Sequence, residues 1–96
     1  MEREEVIREA CGVIRRHLPA TEFKVFLFGS WAKHTAEPAS DIDLAVLGPK
    51  ALDDMLLLRL QEEIAAIPTL RRIDVVDLHR TDERFRQEVL SHGQPL

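Results

Sequence analysis

The residues of this sequence best suited to chemistry are a Gly29-Ser30 step and, after ten intervening residues, the aspartates Asp41 and Asp43. The step follows the apolar run 25–28, where a strand that passes into a helix presents free backbone N–H groups to phosphate oxygens. Residues two apart on a strand face the same side, roughly 6.5 to 7 Å apart at Cα, so both carboxylates can converge on divalent cations. A phosphate cradle beside paired carboxylates predicts in-line phosphoryl displacement with two Mg²⁺ ions.

An aspartate pair of this spacing also has ordinary explanations. In an acidic chain it often marks only a solvated strand end. A calcium loop of the EF-hand type is excluded, because Ala45 and Val46 stand where that loop needs Asp or Asn and then glycine. Here Ser40 precedes the pair, an apolar strand continues from it, and the glycine-serine step lies upstream. This combination favours a nucleotidyl-transfer site over a solvated strand end.

A third carboxylate is expected from a strand predicted over 72–78. Asp74 and Asp77 are an odd number of residues apart, so they face opposite sides and only one can join the site. If this strand runs parallel to the strand of the aspartate pair, through a right-handed helical crossover, Asp74 lies beside the pair. The alternative is that Asp74 is an edge charge paired with Arg71 or Arg72.

Apolar periodicity and chain breakers predict the elements that position these residues. In chain order they are a helix that ends at Pro19, a strand over 23–28, a short helix over 31–35, a strand over 42–47, a helix over 52–67, a strand over 72–78 and a helix over 82–91. We therefore expect one domain, residues 1–96, of the α/β (α+β) class. Its helices pack on a small mixed sheet of about three strands, in the order α-β-α-β-α-β-α.

The strand directions follow from the proposed chemistry. Gly29 ends the first strand and Asp41 begins the second, so the two strands must be antiparallel if both residues touch one triphosphate. The last helix is expected to take Thr81 as its N-cap. Its inward residues are predicted to be Phe85, Val89 and Leu90.

Composition narrows the class of protein. A chain of 96 residues that is 45% hydrophobic can bury one core. The single cysteine, Cys11, excludes a disulfide framework and is expected to be a packing residue. No long apolar run or signal peptide is present, so a cytoplasmic location without membrane contact is expected. The net charge of −4 argues against a nucleic-acid partner.

The segment from Phe28 to Val46 matches GS-x10-DxD, and it resembles the polymerase-β-like nucleotidyltransferases, most of all the minimal members paired with HEPN-domain toxins. The resemblance implies the nucleotidyltransferase fold. It also assigns nucleotide binding to Gly29, Ser30, Lys33 and Ser40, and Mg²⁺ binding and catalysis to Asp41, Asp43 and Asp74. Lys33 either reaches a phosphate or is a solvated helix lysine. The sequence departs from the family at His34, usually a small residue, and at Glu37, usually basic.

The same resemblance implies transfer of AMP from ATP to a hydroxyl group. Larger relatives add domains that hold the acceptor, and 96 residues leave no room for one. The acceptor is therefore expected to be a separate protein, and the family implies a HEPN toxin that this chain neutralises as an antitoxin. The contrasting hypothesis is a non-catalytic nucleotide-binding antitoxin or regulatory subunit that acts by complex formation. The intact Asp41, Asp43 and Asp74 favour the enzyme.

Overall fold

A computed structural model describes residues 2–29 and 41–96. The described elements are α1 (Arg3–His17), β1 (Lys24–Phe28), β2 (Ile42–Leu47), α2 (Asp54–Ala65), β3 (Ile73–Asp77), a 3-10 turn (Leu78–Arg80), α3 (Glu83–His92) and β4 (Gln94–Pro95). The predicted helix over 31–35 lies outside the described residues. The mixed α/β class is confirmed, and each of the other predicted elements is present with bounds that agree within two residues.

The strands form a mixed sheet in the order β3-β2-β1-β4. β1 pairs antiparallel with β2, and β2 pairs parallel with β3, as the proposed site required. The parallel pair is connected through α2, because parallel neighbours need a crossover long enough to return to the same edge. In this register Asp43 lies opposite both Phe28 on β1 and Asp74 on β3.

The two faces of the sheet are covered differently. One face carries Val25, Leu27, Leu44, Val46 and Val75, and it packs with the apolar sides of α1 and α2 into the main core. Burial of each large aliphatic side chain there contributes about 1.5–3 kcal/mol relative to exposure. The other face is packed in part by α3 through a smaller cluster, whose buried members are Phe26, Ala45, Leu78 and Val89. The second face therefore has room for polar side chains at its uncovered end.

The sequence prediction missed β4. This strand has two residues and pairs antiparallel with β1 at Phe26 and Leu27. Its brevity leaves no alternating pattern to detect, and Pro95 is typical of an edge strand, where no ladder N–H is needed. The sheet therefore has four strands among the described residues instead of about three.

The prediction for α3 was wrong in two details. Asp82, and not Thr81, is the N-cap: its carboxylate accepts from the Phe85 N–H at 2.7 Å, whereas the Thr81 hydroxyl donates to the Leu78 carbonyl. Val89 is buried as predicted, but Phe85 and Leu90 are both exposed. A helix this short touches the sheet along one narrow stripe, and Leu90 lies beyond it.

No helix in residues 2–29 or 41–96 is long and apolar enough to cross a bilayer.

Candidate active site

Gly29 lies where β1 ends, in contact with Asp43 on the neighbouring strand. Its φ of +80° is in the left-handed region, which side chains other than glycine rarely adopt. A Cβ at this position would lie 2.5 Å from Asp43 Oδ2, closer than non-bonded atoms approach. Both facts require glycine here. The backbone can therefore approach the carboxylate closely, as a phosphate cradle beside an acid demands.

Three aspartates lie near one another at this end of the sheet. Asp43 and Asp74 are direct partners in the parallel β2–β3 register, and Asp41 precedes β2 immediately. Asp43 shares the side of β2 that also carries Ala45, and Asp74 shares the side of β3 that carries Val76. Both acids therefore point to the face on which α3 packs. The predicted placement of Asp74 beside the pair agrees with this register.

The electrostatics of Asp43 show how closely the acids interact. Burial raises the pKa of the Asp43 carboxyl, and the charges of Asp74 and Asp41 raise it further. Arg72 acts in the opposite direction and lowers the pKa. The like charges beside Asp43 disfavour its ionisation, and a bound cation would offset them. The site is therefore suited to a positively charged ligand.

Arg72 also contacts Asp74 directly. Its Nε lies 3.3 Å from Asp74 Oδ1, in an ion pair between two largely solvent-accessible side chains. Both sequence interpretations of Asp74 are thus compatible with the geometry, since it lies opposite Asp43 and is also paired with a neighbouring arginine. An exposed pair of this kind contributes little to stability, about 0–1 kcal/mol. It leaves Asp74 free to exchange partners.

The donor set fits Mg²⁺ chemically, because hard divalent cations prefer carboxylate oxygens. Within the described ranges, however, no three His, Cys, Asp or Glu side chains are gathered closely enough to hold a metal ion. The Asp74 carboxylate is paired with Arg72, so it is a neighbour of Asp43 without sharing a ligand with it. The residues predicted to bind phosphate after Gly29, namely Ser30, Lys33 and Ser40, lie outside the described residues.

Asp77 has a role that the sequence did not indicate. Its side chain is buried on the face of α1 and α2, as the odd offset from Asp74 predicted. Oδ2 accepts from the Leu52 N–H at 2.7 Å, Oδ1 accepts from the His79 N–H at 3.0 Å, and Arg80 Nε lies 3.6 Å from Oδ2. Asp77 therefore ties β3 to the segments before α2 and after β3. The only sequence signal for this role was the odd offset from Asp74, which placed Asp77 on the face away from the predicted site.

A mixed sheet whose first two strands are antiparallel, and whose third returns in parallel through a helix, is a nucleotidyltransferase-type fold. The glycine turn and the three aspartates lie at one end of it. The model of the Polymerase beta, Nucleotidyltransferase family matches residues 21–96. The chain belongs to this family, which confirms the resemblance inferred from the sequence.

Individual relatives refine this assignment. The chain is 31% identical over 84 residues to protein adenylyltransferase MntA of Shewanella oneidensis; the match includes 88% of this chain and 59% of that protein. A solved toxin-antitoxin structure with AMP-PNP has a TM-score of 0.73 at 29% identity, covering 97% of this chain and 71% of the other. A structure of a tri-AMPylated Shewanella oneidensis HEPN toxin in complex with MNT antitoxin has a TM-score of 0.71 at 25% identity, covering 96% and 69%.

Proposed function

We propose that this chain is a Mg²⁺-dependent protein adenylyltransferase, which moves AMP from ATP to a hydroxyl of a HEPN-type toxin and thereby acts as its antitoxin. The observation that carries the proposal is the meeting of Gly29, Asp43 and Asp74 through the register of three strands. A core that needed only stability has no use for clustered carboxylates, since their mutual repulsion opposes folding.

Each site residue has a distinct task in this proposal. Gly29 lets the backbone approach the triphosphate, and by family resemblance Ser30, Lys33 and Ser40 supply further phosphate contacts. Asp41, Asp43 and Asp74 are the groups that would hold Mg²⁺. When bound, Mg²⁺ supplies positive charge to the phosphate oxygens and to the entering hydroxyl.

The reaction is a displacement at the α-phosphorus of ATP. The acceptor oxygen forms a bond to that phosphorus, the bond to the β-phosphate oxygen breaks, and pyrophosphate leaves with the electron pair. The acceptor proton must pass to a base. Asp74 is suited to this role, because its ion pair with Arg72 is exposed and readily exchanged for another partner. Asp43 is better suited to holding a cation, since it is partly buried beside like charges and touches the glycine turn.

The protein acceptor is supported by the relatives. The Shewanella oneidensis relative is named a protein adenylyltransferase, and another solved complex pairs an MNT antitoxin with an AMPylated HEPN toxin. This chain spans 59% of that curated relative, so acceptor and partner are proposals for the chain as given. A cytoplasmic location belongs to the same proposal.

The experiment is co-expression of this chain with a HEPN protein from the same genome, followed by intact mass measurement of the HEPN protein. Wild-type chain is expected to add one or more AMP units to it. The double variant Asp41→Asn, Asp43→Asn should leave its mass unchanged. Asp53→Asn is the matched control, because asparagine still caps α2 and the position is remote from the site.

The same co-expression separates the enzyme from the binding module. If the double variant and the wild type silence the HEPN protein equally, and neither changes its mass, the chain acts by complex formation. The carboxylates would then be unnecessary for its function. A mass increase that persists in the double variant would instead exclude Asp41 and Asp43 from the reaction.

A further inference from the structure

A cavity of about 480 Å³ opens beside the glycine turn, between the end of β1 and α3. Its walls include Phe28, Gly29 and Phe85, with Glu88 and His92 also lining it. The volume lies within the range of small-molecule sites, roughly 300–1,000 Å³. Because Gly29 lines the cavity and also contacts Asp43, the cavity adjoins the aspartates.

Two aromatic side chains of this cavity contact each other. Phe28 and Phe85 form an edge-to-face pair, with ring centroids 5.5 Å apart and planes at 89°. In such a pair, neither face of the ring that presents its edge is covered by the other ring. Phe85 is 36% exposed, so it retains accessible surface. Stacking of a nucleobase on an aromatic side chain is favourable and tolerates any base.

The polar groups of the cavity are few. Glu88 and His92 are one helical turn apart on α3, and their side chains are exposed with 3.9 Å between Oε1 and Nε2. Such a long, exposed contact leaves Glu88 oxygens available as acceptors. A carboxylate accepts from an exocyclic amine and repels a carbonyl oxygen at the same position. It also disfavours a phosphate group in this cavity.

We propose that this cavity is the subsite for the base of the nucleoside triphosphate, and that Glu88 selects a purine with an exocyclic amine. The inference rests on the proposed nucleotidyl transfer and deepens it. A nucleotide whose phosphates lie at Gly29 and Asp43 extends its sugar and base to one side of the turn. On the α3 side, the apolar ring stacks on the phenylalanine pair, and the amine meets the acceptor at the rim.

The test compares Mg-ATP with Mg-tripolyphosphate, which has the phosphates and no base. Calorimetry on the wild-type chain should show ATP binding at least about 10-fold more tightly, in the range of a lost base stack. Phe85→Ala should remove this preference and leave the tripolyphosphate affinity unchanged. Phe85→Leu keeps apolar volume but loses the flat ring, so it should also weaken ATP binding while the fold is retained.

Leu90→Ala is the matched control. Leu90 is on the same helix and 39% exposed, close to the 36% of Phe85, but it does not line the cavity. Its truncation should leave both affinities as in the wild type. An equal loss of ATP and tripolyphosphate binding in Phe85→Ala would overturn the inference, because Phe85 would then support the fold and not the base.

The selectivity of Glu88 is tested by a ratio. ITP differs from ATP in carrying a carbonyl oxygen where adenine has its amine, so the wild type should prefer ATP over ITP by about 10-fold. Glu88→Ala should bring this ratio close to one. A ratio that does not change refutes the role of Glu88.

The failures of the two proposals are distinguishable. If the wild type binds ATP and tripolyphosphate equally, the base subsite is wrong while nucleotidyl transfer stands. The same holds if Phe85→Ala keeps the preference for ATP, for example because the cavity takes a side chain of a partner protein. If the wild type binds neither compound in Mg²⁺, the proposed function fails and the inference fails with it.

Discussion

Two aspartates on one strand, three residues apart, have opposite environments. Asp74 faces the α3 side of the sheet, where its side chain is 41% exposed and its neighbours include the like charge of Asp43. Asp77 faces the core, where its side chain is 1% exposed and accepts two backbone hydrogen bonds beside Arg80. The strand thus carries one carboxylate whose partner, Arg72, is exposed and exchangeable, and one whose partners are buried and fixed.

The difference separates a structural aspartate from a candidate for the proposed chemistry. A buried carboxylate with all of its partners supplied by the chain holds segments together and has no oxygen left for a ligand. A carboxylate with a like-charged neighbour and an exchangeable partner is destabilised by repulsion, and a bound cation would reduce that repulsion. Side-chain identity and proximity in sequence do not distinguish the two, but the face of the strand does.

Asp74→Asn should have the largest effect, a loss of about 100-fold or more in the rate of AMP transfer. Its melting temperature should stay near that of the wild type, since the exposed pair with Arg72 contributes little. Arg72→Ala is the control, because it breaks the same pair from the other side. Equal loss of rate in both variants would indicate that Asp74 matters only as the partner of Arg72.

Asp77→Asn should affect stability and leave the reaction of the folded protein intact. The amide keeps one acceptor and introduces a donor among the donors of Leu52, His79 and Arg80, so the free energy of unfolding should fall by about 1.5–3 kcal/mol. Urea denaturation measures this change. Asp54→Asn, which breaks an exposed contact to the same Arg80, should change it far less. Loss of transfer at full stability would reverse the assignment.

The smallest effect is expected in the pH dependence of stability. Because the pKa of Asp43 is raised in the folded protein, its ionised form is disfavoured there. The unfolding free energy should therefore decrease as the pH rises from about 4, the ordinary carboxyl range, through the raised value. Asp43→Asn lacks this decrease, so it should be at least as stable as the wild type at pH 7. Parallel pH profiles for the two proteins would contradict the raised pKa of Asp43.

Much of the fold was predictable because its signals are local. The β1 and β2 runs are short and apolar, the helix between β2 and β3 is amphipathic, and proline or glycine ends several elements. The strand directions needed a further argument, that Gly29 and Asp41 serve one ligand. What could not be predicted depends on tertiary contacts: β4 exists only because β1 offers an edge, and Leu90 is exposed only because α3 crosses the sheet along a narrow stripe.

For the candidate site, the sequence predicted the faces of the strand aspartates but not the contacts between distant segments. Period-two spacing placed Asp74 and Asp77 on opposite faces, which the β2–β3 register confirms. It gave no sign of the phenylalanine cavity, because Phe28 and Phe85 are far apart in the chain and each has the pattern of a packing residue. The network around Asp77 joins three separate segments, so it too is invisible to spacing. The catalytic and binding assignments themselves stay predictions.

The pairing of Asp43 with Phe28 and Asp74 means that the fold forms only when the aspartates are in the correct register. A slip of one residue in either ladder reverses the faces of a strand, which would send carboxylates into the space of Leu44 and Val46. Burying those charges costs far more than a small domain can tolerate. Chains of this sequence are therefore either unfolded or correctly aligned, and a folded population with misplaced acids should not accumulate.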